Sequence, residues 1–105
     1  MIVKNQDRRL ILFDRTDGKI YELDPNADTV VPDALCVEFL GYGATDDHHY
    51  DVCRKRLEFL RFEPAVMKEL KDDPDADKVN IVTIDYLKNL QFETGKVIER
   101  RTKKA

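Results

Sequence analysis

The chain has 105 residues, 42% of them hydrophobic and 37% charged, with a net charge of −3 and no Trp. That composition describes one domain, 1–105, able to bury a single core without metal or disulfide staples, and it excludes a disordered chain. No apolar run reaches the roughly 20 residues that span a bilayer, and the polar stretch Met1 to Arg9 lacks the apolar core of a secretory signal.

A cytoplasmic protein with no membrane partner is therefore expected. Cys36 and Cys53 fit that compartment, since two cysteines are too few for a disulfide framework and stay reduced there.

Residues 8 to 23 read as a β-hairpin. Leu10-Ile11-Leu12-Phe13 is β-prone, Asp17-Gly18 supplies turn chemistry, and Ile20-Tyr21-Glu22-Leu23 returns. Asp24-Pro25-Asn26-Ala27-Asp28 follows, and nearly the same phrase recurs as Asp73-Pro74-Asp75-Ala76-Asp77. Proline presets φ and the aspartates accept nearby N–H groups, so each copy marks a turn that leads into an extended segment. The two copies lie 49 residues apart, whereas the glycine turns at Gly18 and Gly95 lie 77 apart, which argues against a tandem repeat. Both copies place aspartates like the start of a calcium loop. Neither has glycine at the sixth position or glutamate at the twelfth, so an EF-hand is not expected.

Residues 33 to 41 fit two patterns. Leu35, Val37 and Phe39 alternate as in a strand, whereas Asp33 and Gly41 could bound a short helix. The Cys-Val-Glu-Phe composition leans to strand. Residues 46–61 give the clearest helix, with Thr45 as N-cap, acidic residues in the first turn, and Tyr50, Cys53, Leu57 and Leu60 at helical spacing. Glu63-Pro64 breaks it and opens a second helix over 64–71, with Ala65, Val66, Met67 and Leu70 on its apolar side.

Val79 to Ile84 reads as a central strand, and Asp85 to Leu90 as one helical turn. Leu90-Gln91-Phe92 and Val97-Ile98, joined through Thr94-Gly95-Lys96, read as a closing hairpin. The expected fold is α+β: a small, mainly antiparallel sheet built from N- and C-terminal hairpins, with two helices (46–61 and 64–71) on one face. A basic tail, 100–105, should fray.

The densest cluster of reactive side chains is Asp46-Asp47-His48-His49-Tyr50-Asp51-Val52-Cys53. On a helix, residues three or four apart share a face, so Asp46, His49 and Cys53 align, as do His48 and Asp51. His48, His49, Asp51 and Cys53 are therefore the candidate ligands for zinc or another transition metal, with Cys36 as a further ligand. Cys53 also lies on the apolar stripe with Leu57, where a cysteine behaves as a small core residue. The same position disfavours Cys53 as a nucleophile with His49 as its base. Gly41-Tyr42-Gly43 has too few glycines, and no following Lys or Ser, for a phosphate loop.

Residues 24 to 51 carry seven carboxylates and no Lys or Arg, while Arg100, Arg101, Lys103 and Lys104 crowd the tail. The tail offers phosphate contacts, but an acidic net charge without interleaved aromatics argues against nucleic acid as a partner. The reading that best fits is a small non-enzymatic binding or assembly module. It acts through a sheet edge or the acidic surface on a protein partner or on itself, as a homo-oligomer, with no cofactor. The alternatives are a metal-binding protein or metal-dependent enzyme at His48, His49, Asp51 and Cys53, and a nucleic-acid accessory protein using the tail.

Overall fold

The computed structural model describes residues 1–5 and 7–93. In chain order these form β1 (Ile2–Asn5), β2 (Leu10–Asp14), β3 (Lys19–Leu23), β4 (Ala27–Val30), α1 (Asp33–Phe39), α2 (Asp47–Phe59), a 3-10 turn (Leu60–Phe62), α3 (Pro64–Leu70), α4 (Ile84–Asn89) and β5 (Gln91–Glu93). The fold is α+β, as expected. The strands form two antiparallel sheets rather than one: β4-β1-β5 and β2-β3.

The hairpin forms where its turn chemistry predicts. The Asp14 and Asp17 carboxylates accept the backbone N–H groups of Thr16 and Lys19, each at 2.9 Å. Gly18 takes the positive φ of +74° that closes the loop. Leu10 then pairs with Leu23 and Asp14 with Lys19. Alternation along β2 sends Leu10 and Leu12 to the main core, with Leu35, Cys36, Cys53, Leu57 and Leu87, and Ile11 to a second core with Val66, Leu70 and Val79. The helices therefore cover both faces of β2, with α3 on the Ile11 side, instead of one face only.

The first Asp-Pro phrase behaves as expected: Asn26 turns the chain at φ +60° and β4 follows. Its partner is β1, a strand that the polar composition of the N-terminal stretch concealed. β1 is central to the three-stranded sheet, yet only Val3 and Asn5 are buried in it. β5 pairs with the other edge of β1. The return strand expected at Val97-Ile98 and the tail at 100–105 lie outside the described residues.

Two segments expected as strands are not strands. Residues 33 to 41 carry α1, over Asp33–Phe39. Leu35, Cys36, Phe39 and Leu40 are buried while Val37 and Glu38 face solvent, a helical stripe that alternation happened to mimic. Gly41, at φ +77°, ends the helix and lets the Tyr42 N–H return to the Cys36 carbonyl at 3.1 Å. A Cβ on Gly41 would lie 2.8 Å from the Tyr50 ring, so glycine is required there for space as well as for φ.

The second failure is the strand at 79–84. Val79 and Val82 are buried as a core strand would be. But Asn80 sits at φ +64°, in the left-handed region, and breaks any extended run. Its side chain takes over the strand's work. Asn80 Oδ1 accepts the Ile11 N–H at 2.7 Å, and Nδ2 donates to the Ile11 carbonyl at 3.0 Å. Nδ2 also donates to the Leu57 carbonyl at 3.0 Å. One fully buried amide thus pairs with the outer edge of β2 and ties that strand to the end of α2.

Replacing this amide leaves the Ile11 N–H buried without an acceptor. Asn80→Ala also pays for the left-handed backbone, so a loss of about 3 kcal/mol or more is expected. Asn80→Gly restores the backbone freedom alone and should lose less. Urea denaturation of the three proteins checks the order; equal midpoints for Asn80→Ala and the parent would refute it.

Candidate functional site

The reactive cluster at the start of α2 is disassembled by its own local structure. Asp46, not Thr45, is the N-cap: its Oδ1 accepts the His49 N–H at 2.8 Å. Asp47 turns to α4, where Lys88 Nζ lies 2.5 Å from its carboxylate and 5.8 Å from the centroid of the Tyr50 ring. That hydrogen bond raises the Lys88 ammonium pKa.

Asp51 accepts from Arg54 at 2.7 Å and lies 3.1 Å from Lys55 Nζ. Its hydrogen bonds to Arg54 and then Lys55 hold its carboxyl below the usual carboxylate range. His48 is exposed and His49 half-buried. Cys53 is fully buried and its thiol lies 3.7 Å from the Val37 carbonyl.

Among the described residues, no three His, Cys, Asp or Glu groups stand together as a metal ion requires. Of the predicted ligands, Asp51 is engaged by two cations and Cys53 faces the core. Both cysteines are free of disulfides, and burial raises both thiols, Cys36 to about 11. Such thiols have the character of core residues rather than nucleophiles. The Gly41-Tyr42-Gly43 segment is held by Tyr42, whose ring meets Phe92 edge-on at 5.1 Å.

Two other constellations are assembled by the fold. The first is centred on Arg9. Its guanidinium bonds Asp73, reaches Glu22 at 2.7 Å and Asp24 at 3.4 Å. It therefore joins the leading aspartates of both Asp-Pro phrases across the end of the hairpin. The second phrase folds as turn chemistry predicts, with the Asp75 N–H donating to the Asp73 carboxylate at 2.8 Å. Beside this knot lies a cleft of about 430 Å³ that includes Asp7, Arg8, Asp75 and Lys78. Its charges are mixed and already balanced, which suits a structural junction better than a site for one charged ligand.

The second constellation is apolar and outward-facing. Phe59 is 68% exposed and Phe62 70% exposed, with ring centroids 6.3 Å apart. Lys55 and Glu58 complete the walls of a hollow of about 280 Å³ between them. Met67, 54% exposed, lies on the adjoining α3.

The sequence carried a signal for this face. Leu57 points into the core, and Phe59 stands about 200° further round the helix. In sequence it only flanks the stripe of Cys53, Leu57 and Leu60. Arg9 had no such signal, because its partners are set by tertiary folding.

The two constellations make separable predictions. Asp73 is largely buried, with a side-chain exposure of 14%, so Arg9→Met leaves a carboxylate without its cation in a poorly hydrated place. A loss of about 1–2 kcal/mol is expected in urea denaturation, shrinking as salt is added, and partly recovered in Arg9→Met/Asp73→Asn. A salt-independent loss would contradict this. For the cysteines, a thiol with a pKa of about 11 holds only about one thiolate in a thousand at pH 8. Maleimide labelling of the native protein should be slow at pH 8, accelerate as pH rises, and become fast once urea unfolds the chain. Rapid native labelling would show an accessible, activated thiol instead.

The chain matches no protein-family model, no curated protein and no solved structure. Among the described residues, no helix is long and apolar enough to cross a membrane.

Proposed function

We propose that this protein is a small non-enzymatic binding or assembly module that works through protein–protein contacts, self-association included. The observation that carries the reading is the exposed aromatic pair Phe59 and Phe62 on a helical surface. Single exposed apolar residues are ordinary on a folded protein. Two neighbouring aromatics, each about two-thirds exposed and bounded by charged residues, form the kind of patch that marks a contact surface. Aromatic side chains also dominate the energetic centres of protein interfaces.

This moves the expected contact surface. The acidic segment between residues 24 and 51 is largely committed to structure: Asp24 to Arg9, Asp46 to the cap of α2, Asp47 to Lys88 and Asp51 to Arg54. The edge strand β4 offers a secondary contact, with Val30 exposed. A cytosolic setting suits this reading, in keeping with two thiols that form no disulfide.

Photo-crosslinking tests the location of the surface. With p-benzoylphenylalanine in place of Phe62, irradiation in cells should give a discrete protein adduct. The same probe in place of Thr16, on the exposed hairpin turn, should give none. Adducts from neither site, or the same adducts from both, would overturn the proposal.

A further inference from the structure

We infer that the occupant of the Phe59–Phe62 face is a second copy of this chain, related by a two-fold axis, with Lys55 of each copy beside Glu58 of the other. The inference rests on the binding-module reading and names its partner. Lys55, Glu58, Phe59 and Phe62 follow the i, i+3, i+4, i+7 spacing of one helical stripe, continued through the 3-10 turn. All four side chains are exposed and together they wall the same hollow.

A two-fold interface requires a surface that complements itself. This one qualifies, because it holds an aromatic pair, one cation and one anion. Turning a second copy end over end brings ring against ring and sets each charge near its opposite. In the present ion pairs, Lys55 with Asp51 at 3.1 Å and Glu58 with Arg54 at 3.9 Å, the Lys55 and Glu58 side chains are exposed while their partners are partly buried. Pairs of that kind are weak and exchange readily for others.

Charge does not oppose this approach. The whole chain carries −3, so a contact whose own charges cancel adds nothing to the net repulsion between two copies. The two charged residues that line the hollow, Lys55 and Glu58, are of opposite sign and cancel. Area sets the strength. Two aromatics of about 150–250 Å² each, already one-third covered, supply roughly 200–350 Å² per copy. A stable interface uses about 800 Å² per partner. The dimer is therefore weak, reversible and dependent on concentration.

Sedimentation equilibrium from about 10 μM to about 1 mM should show the mass rising from monomer towards dimer. Phe59→Ser/Phe62→Ser should stay monomeric with an unchanged circular dichroism spectrum. Lys55→Glu and Glu58→Lys, both at exposed positions, should each weaken the dimer about tenfold, by placing like charges together. Mixing these two variants should restore association, because each then meets the opposite charge. Two results overturn the inference. One is a wild type that stays monomeric throughout, and the other is a pair of charge variants that gain nothing on mixing. A monomeric wild type whose Phe62 probe nevertheless captures a different protein refutes the dimer and leaves the broader binding reading standing.

Discussion

The Asn80 side chain is the contact on which the remaining architecture depends. β2 has β3 on one edge, and at its other edge a buried amide bonds both main-chain groups of Ile11. The same amide reaches the Leu57 carbonyl near the end of α2. A neighbouring strand would have required an extended backbone over residues 79–84. The amide permits a tight turn there instead, and α4 can begin at Ile84. The left-handed backbone at Asn80 and the two-sided burial of β2 are parts of one solution.

Polar contacts of long sequence separation recur around this centre. Asn5, buried at the end of β1, donates to the Leu23 carbonyl at 2.8 Å and accepts from the Tyr86 hydroxyl. Burial raises the Tyr86 phenol, which therefore stays protonated as a donor. Arg9 does for the surface what the two asparagines do inside, joining β3, the first Asp-Pro turn and the second. The apolar cores decide which faces are covered, and these polar ties decide which irregular segment meets which strand. Irregular chain between elements needs such ties, because it has no ladder of its own to satisfy its backbone.

What could be read from the sequence follows from the range of the forces involved. The hairpin at 10–23 and the helices at 47–59 and 64–70 were legible, since alternation, helical spacing and Pro64 act within a few residues. α1 was too short for its stripe to be told from alternation. The strand expected at 79–84 failed because burial was inferred correctly from Val79 and Val82, whereas the backbone was decided by Asn80 and its partner 69 positions away. The histidine cluster drew attention by composition and by helical spacing. Its neighbours proved to be a cap, an ion pair and a core thiol, each a local use of a reactive residue type. Phe59 only flanks the helical stripe in sequence, and hydrophobic character does not by itself say which way Phe59 or Phe62 points.

The bonding of β2 by a distant side chain also has a consequence in time. Ile11 and Asn80 are 69 positions apart, so on a ribosome working at roughly 5–20 residues per second the hairpin emerges several seconds before its cover. During that interval the outer edge of β2 presents free N–H and C=O groups beside Leu10, Ile11 and Leu12, the most apolar strand of the protein. An open edge of this composition invites pairing between nascent chains. Translation speed and local chain density thus bear on the yield of this fold in a way that the finished structure, with Ile11 bonded and buried, no longer displays.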